Sequence, residues 1–413
     1  MRIGKYDIAA YGMFIAYAVS SVIIPMALCH ISVSLGFPLA EGGLAAGGAL
    51  QIGRAVPMVV SMVLCGFLAA RHGMRKTQRG AICLLCLGMI FAALASHYAM
   101  LFLALAIAGF GEGIIEGLGT PFVQQLHDDE PSRYINLAHS FWSIGVLLAT
   151  LAGGYFLGRG ISWRILVGGA ALVGLAAFLL MGRSRRTPYP EREEAYSANT
   201  VLRQSSDILK TGRFWLFFAA MIFAGGGEFG LTFWTASYVQ IVYSGTPWFA
   251  GVCTACFALG MFLGRSGFGL LVRQRNLYHG IMLAALGGII VSLLLPCLGT
   301  SWLHEIAEKW HVLAFINGKT VVCILLFLAG IATAPFWPSI QSYTVLRLPW
   351  LNSTMIFIIL SCAGVPGCAL LTWLMGIIGN HLGLRTALIA VPLCYLLMAL
   401  LLVFDRRLVE HRG

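Results

Sequence analysis

Residues 99–126 read AMLFLALAIAGFGEGIIEGLGTPFVQQL, an apolar run whose only ionisable side chains are Glu112 and Glu116. At 1.5 Å per residue such a run crosses about 30 Å of hydrocarbon as one helix. An ionisable group inside the bilayer costs roughly 2.5 kcal/mol or more, so acids in this setting mark a transport path more often than a folding need. Glu228 occupies a similar setting in the apolar stretch 213–242, whereas the other thirteen of the 16 carboxylates fall near expected helix ends or in polar loops. The pattern reads as a carrier.

The same apolar signature repeats along the chain. Hydrophobic residues make up 59% of its 413 positions and charged residues 10%, which excludes an ordinary soluble domain. Twelve spans are expected, at 8–30, 42–70, 79–96, 99–126, 134–158, 163–182, 213–242, 247–272, 277–298, 319–346, 352–378 and 384–404. The polar stretch from Gly182 to Arg213 is rich in both charge signs and divides six spans from six. The expected organisation is all-α: an N-terminal six-helix half at 1–182, a linker at 183–212 and a C-terminal six-helix half at 213–413. Two halves joined in this way are the repeat plan of many secondary transporters, with the substrate site between them near the midplane.

Charge placement orients the chain. With Arg2, Lys5 and Asp7 before a first span that lacks a cleavage site, both termini are expected in the cytoplasm. About 20 of the 27 Lys and Arg then face the cytoplasm and about five face outward, which satisfies the positive-inside rule and accounts for the net charge of +11 without a nucleic-acid partner. The expected setting is a bacterial inner membrane, with the protein a monomer whose partners are lipid, a small-molecule substrate and protons. No cofactor or metal is expected. Cys83 to Cys86 and Cys253 to Cys256 have CxxC spacing but lie in apolar helices without neighbouring ligands, so they read as buried thiols. An external segment at 299–318 places Trp302, Ile306 and Trp310 four residues apart, the pattern of a short interfacial helix or a lid.

Depth along each span sorts the polar residues. Glu116 lies about 16 Å from the cytoplasmic end of its helix, near the midplane, as proton carrier, substrate contact or structural acid. Glu112 is one turn further, at the depth of Arg54, and the two read as a structural pair, as a gate or as an anion site. Glu228 is again near the midplane, with Trp234 beyond it. Arg265 is close enough to the cytoplasmic end to snorkel there and serve as an anchor. Asn136, His139 and Trp142 share one stripe of the fifth span, where an amide, an imidazole and an indole suit sugar hydroxyls and C–H faces. His139 is also a candidate proton relay. Gln51, Gln124, Gln125, Trp337 and Gln341 are further candidates for substrate contact.

Several motifs are specific enough to suggest a family. Glu116-Gly-Leu-Gly-Thr-Pro121-Phe122-Val123, followed by Asn136-Leu137-Ala138-His139-Ser140-Phe141-Trp142-Ser143-Ile144-Gly145, resembles spans 4 and 5 of the fucose permease branch of the major facilitator superfamily. Matches continue through Gly66-Phe-Leu-Ala-Ala70-Arg71-His-Gly73, Glu228 with Trp234, Gly264-Arg265 and Pro335-Phe-Trp-Pro338. The resemblance implies the twelve-helix facilitator fold and proton symport of a small neutral sugar. On it, Glu116, Glu112, Glu228 and His139 are the coupling candidates, with Arg71, Gly73 and Arg265 structural. The chain departs from the pattern at Ala70, where the family usually places Asp, and at Ser21, which takes the position of the first-span carboxylate and becomes a candidate substrate contact. Export, an organic-anion substrate and a transport-dead sensor are the rival readings; no catalytic motif supports an enzyme.

Overall fold

Prolines and glycines decide where these apolar helices begin, bend and touch. A computed structural model describes residues 3–127, 131–182, 198–297 and 318–410, and every regular element among them is helical. The first half contains α1 (Lys5–Ser34), α2 (Leu44–His72), α3 (Met74–Ala93), α4 (Tyr98–Leu126), α5 (Pro131–Gly158) and α6 (Trp163–Leu180). After α7 (Ala198–Lys210) the second half follows as α8 (Phe214–Val242), α9 (Pro247–Leu271), α10 (Leu277–Cys297), α11 (Gly318–Thr333), α12 (Phe336–Arg347), α13 (Ser353–Ala387) and α14 (Ala390–Glu410). Eleven stretches among the described residues are long and apolar enough to cross a membrane. The twelfth, α14, is apolar through Phe404 and then carries Asp405, Arg406 and Arg407. Twelve crossings return both ends of the chain to one face.

Two details differ from the sequence reading. The expected span 319–346 is two helices, because Pro335 and Pro338 lack the N–H groups that would continue the ladder. Within the expected linker, residues 198–210 form α7, which buries Ile208 and exposes Leu202 and Leu209; residues 183–197 lie outside the described residues. The expected external helix at 299–318 also lies outside them, apart from Gly318 at the start of α11. Glycine is required at two chain reversals. Gly73, between α2 and α3, has φ 81°, and Gly383, where α13 bends, has φ 82°, a region that costs other residues about 1–2 kcal/mol.

Within each half, small residues set the helix spacing. On α4, Gly109, Gly113 and Gly117 recur every four residues along α2, and a Cβ at Gly109 would collide with the carbonyl oxygen of Arg54. The second half repeats the device, with Gly260 and Gly264 of α9 against the backbone of α11. Between halves, α2 lies along α13, α5 along α9 and α1 along α8. Toward the face away from the termini, the Leu44 N–H donates to Asn380 Oδ1 at 2.9 Å and Gly154 meets Gly251 backbone to backbone. On the terminal face, Asp7 of α1 pairs with His127 at 2.5 Å, and Asp405 of α14 holds Arg213 at 2.7 Å and Arg347 at 2.9 Å.

The ridge makes a direct prediction. Gly109→Ala should destabilise the protein by about 1–3 kcal/mol through overpacking, read as a lower Tm in detergent, while Gly169→Ala, with open space around its Cβ, should leave Tm unchanged. Equal melting of the two variants would refute the close α2–α4 approach.

Candidate functional site

Pro25 has no N–H to give to the carbonyl of Ser21, four residues earlier on α1. That freed oxygen accepts Arg54 Nη1 of α2 at 2.9 Å, and Ser21 Oγ accepts Nη2 at 2.6 Å. Arg54 then closes on Glu112 of α4, Nε to Oε2 at 2.5 Å and Nη2 to Oε1 at 2.6 Å, while Ser20 Oγ also donates to Oε1. Glu112 is fully buried and Arg54 is 3% exposed. Every charged atom has a partner, so the network is closed, and Ser21 belongs to it rather than to an open surface. Of the three readings of Arg54, the geometry is that of a pair.

A second arginine repeats the arrangement. Pro338 leaves the Ala334 carbonyl free at the α11–α12 break, and this oxygen accepts Arg265 Nε of α9 at 3.1 Å. Arg265 Nη2 donates to Glu228 Oε1 of α8 at 2.9 Å, and the guanidinium carbon lies 5.7 Å from the ring centre of Trp142 on α5. The side chain thus turns to Glu228 and does not snorkel to the terminal face. Unlike the first pair, this one is incomplete: Glu228 Oε2 is buried with no hydrogen-bond partner among the described residues.

Glu116 stands between the two pairs. It is partly exposed and makes no hydrogen bond or ion pair among the described residues, although Arg265 lies within electrostatic reach of it. His139 of α5 is bonded through Nε2 to Thr120 Oγ1 of α4 at 2.9 Å and packs on Phe14. Gln341 donates to Ser361 Oγ at 3.1 Å and to the Phe357 carbonyl at 3.3 Å, and the Trp337 ring lies against Gly225 and Gly364. Glu116, Glu228, Arg265, His139 and Trp142 therefore gather where the halves meet.

Other candidates stand apart. Trp234 is fully buried, and its indole N–H donates to the Thr372 carbonyl at 3.0 Å, so it packs α8 against α13. Gln51 is buried on α2 and Gln124 is exposed near the end of α4. The side chain of Asn136 lies outside the described residues. Arg71 is exposed at the end of α2, beside Gly73. Among the described residues no cluster could hold a metal. Sequence reasoning missed Tyr17, which lies within electrostatic reach of Glu116, Glu112 and Arg54. It also missed Ser20 and Thr120. The available signal was helical spacing: Tyr17 is one turn before Ser21, and Thr120 one turn after Glu116.

Comparison with known proteins gives this arrangement a context. The model of the Major Facilitator Superfamily matches residues 9–320. The putative transporter svop-1 of Caenorhabditis elegans is 25% identical over 163 residues, 38% of this chain, and the match spans only 31% of that relative's length. Among solved structures, a D-xylose-proton symporter superposes with a TM-score of 0.74 at 12% identity, covering 96% of each chain. The xylose transporter of E. coli in a partially occluded inward open conformation gives 0.70 at 13% identity, again over 96% of each. The E. coli fucose:proton symporter gives 0.62 at 16% identity, over 97% of this chain and 98% of that one. These likenesses show a shared fold.

The closed network should behave as a unit. Arg54→Gln or Glu112→Gln alone strands a buried charge and should cost about 3–5 kcal/mol, seen as reduced folded yield, while the double variant should recover much of that loss. Additive losses in the double variant would show that the two residues do not stabilise each other.

Proposed function

The chain belongs to the Major Facilitator Superfamily, and from that premise we propose that it is a secondary carrier importing a small neutral sugar or sugar derivative by proton symport. It is a member of a superfamily of transporters, not of enzymes. The charge balance of the central site carries the reading. Arg54 is neutralised by Glu112 and Arg265 by Glu228, which leaves Glu116 as the acid without an ion-pair partner. A proton on Glu116 makes the set electrically neutral, and a neutral site suits an uncharged substrate. An anionic substrate would have to draw Arg265 away from Glu228, since Arg54 is fully bonded within its own network.

The polar and aromatic groups at the seam supply the remaining chemistry. Trp142 and Trp337 offer apolar faces to sugar C–H groups, and His139, Thr120, Gln341 and Ser361 offer donors and acceptors for hydroxyls. The symporters of xylose and fucose that share the fold support this substrate class. The resemblance of Glu116–Val123 to the fucose permease branch supports Glu116 as the coupling acid. In the cycle, substrate and proton enter from one side, the halves rock about the loaded site, and both leave on the other. By the positive-inside count, the terminal face is cytoplasmic, in a bacterial inner membrane, with the monomer as the working unit.

Proteoliposomes test the reading directly. Labelled neutral sugars should accumulate against their gradient when an inward proton gradient is imposed, and sugar acids should not. Glu116→Gln, which imitates the protonated acid, should abolish this uphill accumulation while substrate exchange persists. Wild-type accumulation by that variant would remove Glu116 from coupling, and uptake confined to sugar acids would replace the sugar by an organic anion.

A further inference from the structure

The CxxC spacing of Cys253 and Cys256 points along one helix, but the thiol that Cys253 meets is on another. Its Sγ lies 3.6 Å from Sγ of Cys323 on α11. The backbones bring the two together. Both α9 and α11 start on the face away from the termini and run side by side in the same direction. A Cβ at Gly260 would collide with the Phe327 carbonyl oxygen, one at Gly330 would lie 3.1 Å from the Cα of Gly260, and one at Gly264 would lie 2.7 Å from the Cβ of Ala334. Gly260 with Gly330, Gly264 with Ala334 and Cys253 with Cys323 are each 70 residues apart, so the small residues that hold the helices in contact also fix the register that sets one thiol opposite the other. With the helices already in contact, side-chain rotation is what separates 3.6 Å from the about 2 Å of a disulfide.

We infer that Cys253 and Cys323 are an oxidisable dithiol, which a small disulfide converts into a cross-link that staples α9 to α11 near the far face. Cys253 is fully buried and Cys323 half-buried, so the reagent meets Cys323 first. The Cys323 thiolate attacks one sulfur of R–S–S–R, forming a mixed disulfide and releasing RS⁻, which takes up the proton that Cys323 lost. Cys253 then gives up its own proton and attacks the Cys323 sulfur, and the second RS⁻ leaves to carry that proton. Two protein S–H bonds and one reagent S–S bond are lost; one protein S–S bond and two R–S–H bonds are gained, the reagent being reduced by two electrons. The thiols lie about 9 Å and 8 Å from the starts of their helices, in the shallow part of the hydrocarbon. By the positive-inside count this is the outer side, where disulfides persist. Cys256, one turn deeper on α9, is within electrostatic reach of Cys323 and is the competing partner. The bond closes a loop that contains α10 and residues 298–317, which restricts the unfolded chain and thereby stabilises the second half.

Oxidised glutathione is the probe. Purified full-length protein is incubated with it or with a phosphine reductant, remaining thiols are alkylated, and the protein is digested without reduction for mass spectrometry. Peptides joined through Cys253 and Cys323, lighter by two hydrogens than the separate pair, should form in the wild type, persist in Cys256→Ser and vanish in Cys323→Ser. The oxidised wild type should melt a few degrees above the reduced protein, a shift that Cys323→Ser should not show. Alkylation of both Cys253 and Cys323 after oxidation overturns the inference, as does a Cys323 joined to Cys256 alone or left as a glutathione adduct. Equal melting of cross-linked and reduced protein overturns the staple. Should Cys323→Ser fail to fold, judged by size exclusion, the wild-type peptide map and Cys256→Ser decide the matter. None of these outcomes depends on the substrate: failure of neutral sugars to accumulate leaves the cross-link standing, and an absent cross-link leaves the sugar reading standing.

Discussion

Hydrocarbon offers no hydrogen bond to a charged group, and everything polar in this protein is arranged around that constraint. The solution for both buried arginines starts from a proline. Pro25 frees the Ser21 carbonyl, and Pro338 frees the Ala334 carbonyl, each four residues earlier. A helical carbonyl that has lost its donor is a strong acceptor in an apolar medium, and in each half an arginine from a neighbouring helix takes it. The carboxylates then complete the charge balance. A sequence feature usually read as a helix breaker thus serves as an anchor for a cation, and the two anchors occur once in each half.

Close helix approach makes those anchors reachable. Arg54 and Glu112 meet because Gly109 and Gly113 let α4 lie directly on the backbone of α2. A Cβ on this ridge would push the helices apart by more than a hydrogen bond tolerates. Similarly, Gly264 sits against the Ile331 carbonyl beside the α11–α12 break, which brings the next residue, Arg265, within reach of Ala334. Glycine here acts on electrostatics through distance.

Much of this was legible in the residues. Apolar run length exposed the helices, the polar stretch from Gly182 to Arg213 with both charge signs pointed to six spans on either side, and helical rise matched Arg54 to Glu112 by depth alone. The partner of Arg265 was not legible, because its distance to the membrane surface permitted snorkelling and only tertiary packing shows that Glu228 is nearer. Trp234 was misleading for a similar reason: an indole one to two turns from an intramembrane acid looks like a cavity wall, yet its N–H is committed to Thr372. The split of the tenth span required reading Pro335 and Pro338 as a full break rather than a bend. Tyr17 escaped notice because its spacing, one turn before Ser21, becomes a signal only once packing shows that Ser21 faces Arg54 and Glu112.

The seam between halves is bonded differently from the interior of either half. Toward the far face its contacts include the backbone approach of Gly154 to Gly251, the Leu44 N–H bonded to Asn380, and the Tyr155 and Trp248 rings set edge to face. Strong polar closure is instead kept inside each half, in the Arg54–Glu112 network and at Asp405 with its two arginines. The polar bonds that would cost several kcal/mol to break therefore lie within the halves. Among the described residues Glu116 and Arg265 are the exception, the former without an ion-pair partner and the latter under-bonded at the boundary itself. A charge with fewer bonds in hydrocarbon gives up less on rearrangement than a fully bonded one, so these two residues are where the packed halves are least committed.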